Sequence, residues 1–171
     1  MPISAIVEWC AKAIRQAADP IIGITISGGE PFDQPEGLMH LLRGLRQLKR
    51  NPAGDEIDLL CYSGYPLKTL QKHHAVLLAR LDAVIPEPFA DALPYEKRWR
   101  GSANQTLEPL SPLGLARYAP HLDDAAPKEM QTMLEGGRIW FIGIPHRGDM
   151  PRLEALCRER GIDFSQVSWR R

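Results

Sequence analysis

Residues 21–36 read Ile21-Ile-Gly-Ile-Thr-Ile-Ser-Gly-Gly-Glu-Pro-Phe-Asp-Gln-Pro-Glu36, and this stretch decides the fold class. Ile22, Ile24 and Ile26 alternate with Gly23, Thr25 and Ser27, the period-two pattern of a strand with one large apolar face and one small polar face. The run breaks at Gly28-Gly29, two residues that accept backbone angles closed to other side chains. Pro31 stiffens the exit and removes a donor. Asp33 with Glu36 then forms a capping-box pattern for a helix carrying Leu38, Leu41, Leu42, Leu45 and Leu48.

Working outward, the same logic extends in both directions. Upstream, Ser4 is placed to cap a helix through about Ala18, with Ile6, Cys10, Ala13, Ile14 and Ala17 on one face, and Asp19-Pro20 stops it. Downstream, Asn51-Pro52 and Gly54 end the second helix. Residues 57–62 then form a second apolar run, broken at Ser63-Gly64-Tyr65-Pro66. A helix with Leu67, Leu70, His74, Leu77, Leu78 and Leu81 follows, then a short third strand at 83–85. Residues 86–120 read as irregular, 123–134 as weakly helical, 138–144 as a fourth strand, and Leu153, Leu156 and Cys157 as a last helix before Gly161. Strands separated by amphipathic helices predict an α/β fold with parallel pairing, in which ligands bind beyond the carboxyl ends of the strands. Both glycine-containing breaks fall at such ends. Without an internal repeat or a linker, 1–171 reads as one domain.

Lys plus Arg equals Asp plus Glu at 21 each, so no global field argues for nucleic acid or an anionic membrane. No apolar run approaches the roughly 20 residues of a membrane span, and the first residues lack a signal-peptide pattern, so the expectation is a cytoplasmic protein with neither nucleic acid nor membrane as a partner. Cys10, Cys61 and Cys157 are far apart and odd in number, which disfavours a disulfide framework or a metal knuckle and predicts small buried hydrophobes. His73 and His74 are neighbours on a helix and do not share a face, so His74 is expected to pack and His73 to be solvated, while His40, His121 and His146 are isolated. Arg98, Arg100, Arg170 and Arg171 with Trp99 and Trp169 suit either a partner interface or a solvated rim.

Glu30 offers a fixed carboxylate beside the glycines, which suits a ligand carrying an ammonium group; the alternative is a tight turn with a solvent-facing glutamate. The segments at 23–34, 62–65 (Tyr-Ser-Gly-Tyr) and 99–105 (Trp-Arg-Gly-Ser-Ala-Asn-Gln), with Gly-Ile-Pro at 143–145 and Val-Ser-Trp-Arg at 167–170, resemble radical S-adenosylmethionine (SAM) activating enzymes. The nearest likeness is to anaerobic ribonucleotide reductase activating proteins and their small 4Fe-4S single-cluster relatives.

That resemblance implies a partial parallel α/β barrel in which Gly28, Gly29, Glu30 and Pro31 contact the methionyl amino group of SAM. Ser63 is a second candidate contact, or else a cap for the following helix. It also implies a [4Fe-4S] cluster held by three cysteines spaced CxxxCxxC in a loop after the first strand, since thiolates hold the iron and set its potential. This sequence carries no such motif, and Cys10, Cys61 and Cys157 lack the spacing. On this likeness the chain starts at the family's first helix, with the first strand and cluster loop missing and the next strand's edge unpaired, and no catalytic or metal-ligating residue is assigned. The implied activity, in a form that carries the cluster, is reductive cleavage of SAM to place a glycyl radical on a partner reductase. The alternative is a non-enzyme without a cluster that binds SAM, a nucleotide or a partner.

Overall fold

The computed structural model describes residues 2–90, 92–93, 97–125, 130–135, 138–143, 145 and 148–162. They belong to two compact units, spanning 1–125 and 126–171. In the first, β1 (Gly23–Ile26), β2 (Asp58–Tyr62) and β3 (Ala83–Ile85) pair in parallel, and β4 (Glu108–Pro109) adds antiparallel to β3. The sheet order is β1-β2-β3-β4, open rather than closed into a barrel among the described residues, with β1 at one edge.

β2 is buried on both faces, as expected of an inner parallel strand. Its pleat sends Leu59 and Cys61 into one apolar cluster and Leu60 into another. The larger cluster takes Leu38, Leu42 and Leu45 from α2 (Pro35–Leu45), Cys10 from α1 (Ile3–Gln16), Leu70 from α3 (Leu67–His73), and Leu77 and Leu78 from α4 (Ala75–Leu78). α1 lies close on α2, where a Cβ added at Gly44 would stand 2.6 Å from a Val7 methyl. The smaller cluster joins Leu60, Ala83 and Ile85 to Leu107 and to Tyr118 of α5 (Pro112–Tyr118).

The amino ends of β2 and β3 carry two buried aspartates, each fully partnered. Asp58 accepts from the Tyr118 hydroxyl at 2.7 Å and pairs with Arg117, which also reaches the carbonyls of Ile22 and Glu56. Asp82 pairs with Arg46 at 2.8 Å and accepts from Leu59 N at 2.8 Å and from Ser111 Oγ at 2.5 Å. α5 approaches so closely that a Cβ on Gly114 would lie 1.8 Å from the Asp82 carbonyl oxygen.

Several local expectations are corrected. α1 begins at Ile3, so Ser4 lies inside the helix and caps nothing. Asp33 is not the cap of α2, whose N-cap is Gln34; it closes a 3-10 turn over Pro31–Asp33. The helix expected over 67–81 is two short helices joined at His74, whose φ of −130° leaves the helical region. Residues 86–120 are not all irregular, since β4 and α5 lie there, with Ser111 Oγ accepting from Gly114 N as the α5 cap.

In the second unit, β5 (Met130–Glu135) and β6 (Arg138–Gly143) form an antiparallel hairpin, followed by α6 (Asp149–Glu159). The helix expected over 123–134 is thus a strand at its carboxyl end, and the expected fourth strand pairs with it rather than with the parallel sheet. Cys157 is half-buried, unlike the buried Cys10 and Cys61. His146, Ile144 and Val167–Arg171, singled out above, lie outside the described residues. No helix among the described residues is long and apolar enough to cross a membrane.

Candidate functional site

The turns that leave β1 and β2 meet at the carboxyl end of the sheet. Gly28 and Gly29 have φ of 97° and 57°, in the left-handed region, and a Cβ at either would meet nothing within 4 Å. Glycine is therefore required there by conformation and not by space; an L side chain in that region is disfavoured by roughly 1–2 kcal/mol. The two left-handed residues turn the chain so that Glu30 points back across the sheet.

Glu30 is the junction of the site. Its Oε1 accepts from Phe32 N at 3.0 Å and from Ser63 Oγ at 2.9 Å, and its Oε2 accepts from Gly64 N at 2.6 Å. The buried Ser63 hydroxyl in turn accepts from Tyr65 N at 3.1 Å. Ser63 therefore makes a local turn and orients Glu30. It does not cap α3, whose first amide, Leu67 N, is met by Glu87 Oε1 at 3.3 Å. A second bridge runs beside the first, from the Tyr65 hydroxyl to Asp33 Oδ1 at 2.5 Å. His74 packs under it, its ring stacked on Tyr65 at 6.2 Å and edge-on to Phe32 at 5.2 Å, while His73 is exposed.

The ionisable groups report this layout. Burial, and then the Glu30 charge, push the Cys61 thiol up to about 12. The hydrogen bond to Asp33, followed by that carboxylate's charge, holds the Tyr65 phenol above its usual value. A carboxylate offers about four acceptor positions, and Glu30 has three filled by fixed donors, leaving one on Oε2 for a cation or donor outside the turn.

A groove of about 670 Å³ also lies along α2 and the α3–α4 junction, lined by Glu36, Met39, His40, Lys72, His73 and Val76 among others. It contains none of Gly28, Gly29, Glu30, Pro31 or Ser63. Large size alone does not outweigh a carboxylate oriented by three donors at a strand terminus, so the strand-end turns are the stronger ligand site.

Of the predicted residues, Glu30 and Ser63 thus meet across 33 positions of sequence, with Gly28, Gly29 and Pro31 beside Glu30 in its turn. Reading the sequence alone missed Gly64, Tyr65 and Asp33 as their partners, although Gly64 and Tyr65 stood within the Tyr-Ser-Gly-Tyr segment. Fold and site together define an α/β protein with a preorganised carboxylate at the carboxyl ends of parallel strands. Residues 6–108 match the family described as 4Fe-4S single cluster domain, and the chain belongs to that family. No curated protein and no solved structure gives a significant match.

The family implies a [4Fe-4S] cluster, and the cysteines present do not fit one. Cys10 and Cys61 are packed in the apolar core, and burial raises both thiols above their usual pKa, the reverse of what a thiolate ligand needs. Cys157 lies half-buried on α6, and its own unit holds no second cysteine. Among the described residues no three His, Cys, Asp or Glu side chains converge to hold a metal.

Proposed function

We propose that this chain holds S-adenosylmethionine by its methionyl end, as the SAM-binding part of a radical SAM activating protein of the kind that serves a glycyl-radical reductase. In this reading its open sheet is a portion of the partial barrel typical of such proteins. The observation that carries it is the Glu30 carboxylate, oriented by Phe32 N, Ser63 Oγ and Gly64 N with one acceptor position unfilled. Gly28 and Gly29 leave the adjoining main chain bare of side chains, so the ammonium and carboxylate of an amino acid can reach it.

The part played by this chain's own residues is binding and orientation. Because its cysteines do not form a ligand set, electron transfer to SAM has no source among them. That placement supports a second reading, a SAM-binding protein that carries out no redox chemistry. Calorimetric titration of the purified chain with SAM tests the shared core of both. Saturable one-to-one binding is expected, weakened about ten- to a hundredfold in Glu30→Gln, the range for one hydrogen bond to a charged group. Absence of binding by the wild-type chain refutes both readings.

A further inference from the structure

Glu87 stands between Pro86 and Pro88 just beyond β3, with φ of 77°. A residue with a Cβ is rarely found in that region unless its surroundings over-determine it. Here they do. Glu87 N donates to the Tyr65 carbonyl at 3.1 Å, Glu87 Oε1 accepts from Leu67 N at 3.3 Å, and the Glu87 carbonyl accepts from Gln105 Nε2 at 3.0 Å.

Behind this bend lies the segment 101–105, which clamps it. Gln105 Oε1 accepts from Gly101 N at 2.9 Å, Ser102 Oγ accepts from Ala90 N at 3.0 Å, and Asn104 Nδ2 donates to the Pro88 carbonyl at 2.7 Å. Ser102 is fully buried and Gln105 nearly so, which makes these bonds costly to break. The turn at 63–66 is therefore gripped from two sides, by Glu30 and Asp33 from the β1 turn and by Glu87 from the β3 bend.

We propose that Glu87 is a positioning residue for the ligand site: locked by Gln105, it fixes the 63–66 turn so that Gly64 N and Ser63 Oγ meet the Glu30 carboxylate. The inference rests on the reading of Glu30 as the group that meets an ammonium. A merely structural Glu87 would only satisfy the first amide of α3, so the decisive measurements concern Gly64 and the ligand rather than stability.

Amide hydrogen exchange by NMR and calorimetric titration are compared in wild type, Glu87→Ala and Glu87→Gln. In Glu87→Ala, Gly64 N–H is expected to exchange about tenfold faster, with affinities for SAM and for methionine falling together about three- to tenfold. Affinity for 5′-methylthioadenosine, which has no ammonium, should not change. Glu87→Gln keeps an Oε1 acceptor and should restore both losses. Should Glu87→Ala not fold, Gln105→Glu removes the donor to the Glu87 carbonyl while keeping the acceptor for Gly101 N, and it should also speed Gly64 exchange. A lower melting temperature with unchanged Gly64 exchange and unchanged affinities overturns the inference. If the wild-type chain binds neither SAM nor methionine yet Glu87→Ala still frees the Gly64 amide, the ligand reading fails and the coupling stands.

Discussion

Replacing Glu30 separates what the carboxylate does for the fold from what it does for a ligand. In Glu30→Ala three donors lose their acceptor. The buried Ser63 hydroxyl cannot reach water easily, and an unsatisfied buried donor costs about 1–3 kcal/mol. Phe32 N, in part-buried surroundings, adds about 1 kcal/mol, whereas the exposed Gly64 N rehydrates at little cost. The expected loss is about 3 kcal/mol, or a fall of roughly 1–2 M in the urea midpoint for ordinary slopes. Glu30→Gln keeps one oxygen for Phe32 N and Ser63 Oγ and turns its amide nitrogen toward exposed Gly64 N, so only about 1 kcal/mol should go. Urea unfolding followed by circular dichroism at 222 nm measures both. A midpoint for Glu30→Ala within about 0.2 M of wild type would refute the reasoning, because it would mean that Ser63 finds another acceptor.

Three further outcomes follow from the network under the sheet, from the buried phenol and from the buried thiol. Gly114→Ala drives a Cβ into the Asp82 carbonyl oxygen, so α5 must move off the sheet; the expected destabilisation exceeds about 3 kcal/mol, read as loss of the cooperative urea transition or of soluble protein. Burial raises Tyr62 to about 12 from an ordinary 10, so its contribution to stability is complete below pH 10 and is lost as pH climbs from 10 to about 12. Absorbance at 295 nm should show Tyr62 ionising only with alkaline unfolding, and Tyr62→Phe should flatten that part of the pH profile. Cys61, which burial also raises to about 12, should resist a thiol reagent at pH 8 until the chain unfolds.

The parallel core was legible in the sequence because its signals are local. The alternation at 22–26 placed β1 and the apolar run at 57–62 placed β2 within a residue, while the leucine spacing found α2 but carried it through Leu48 toward Asn51, where the helix in fact stops at Leu45. Local signals also misled where a residue had a better partner far away. Asp33 has the composition of a helix cap, yet a phenol 32 positions later binds it. β4 is only two residues long and has no periodicity to detect. α5, by contrast, carried a readable start in Ser111-Pro112, a capping hydroxyl followed by proline in the first turn, which was overlooked within a proline-rich stretch. Met130–Glu135 had the composition of a helix, and only pairing with Arg138–Gly143 makes it a strand. Glu30 and the glycines were found because a turn at a strand terminus is visible in one dimension. The donors that orient Glu30, and the Glu87 bend behind them, come from other loops and required the fold.

Arg117 bears on where this protein can be divided. The family match stops at residue 108, and that number invites a shortened version for expression or fusion. Cutting there would discard Arg117 and Tyr118, the cation and the phenol that surround the buried Asp58, together with the Ser111 hydroxyl on Asp82. Stripping the partners from a buried carboxylate costs about 3–5 kcal/mol, a large share of the stability of a small domain. The family match thus ends at residue 108, short of the end of the compact unit at 125, and the smallest autonomous piece of this chain extends past Tyr118.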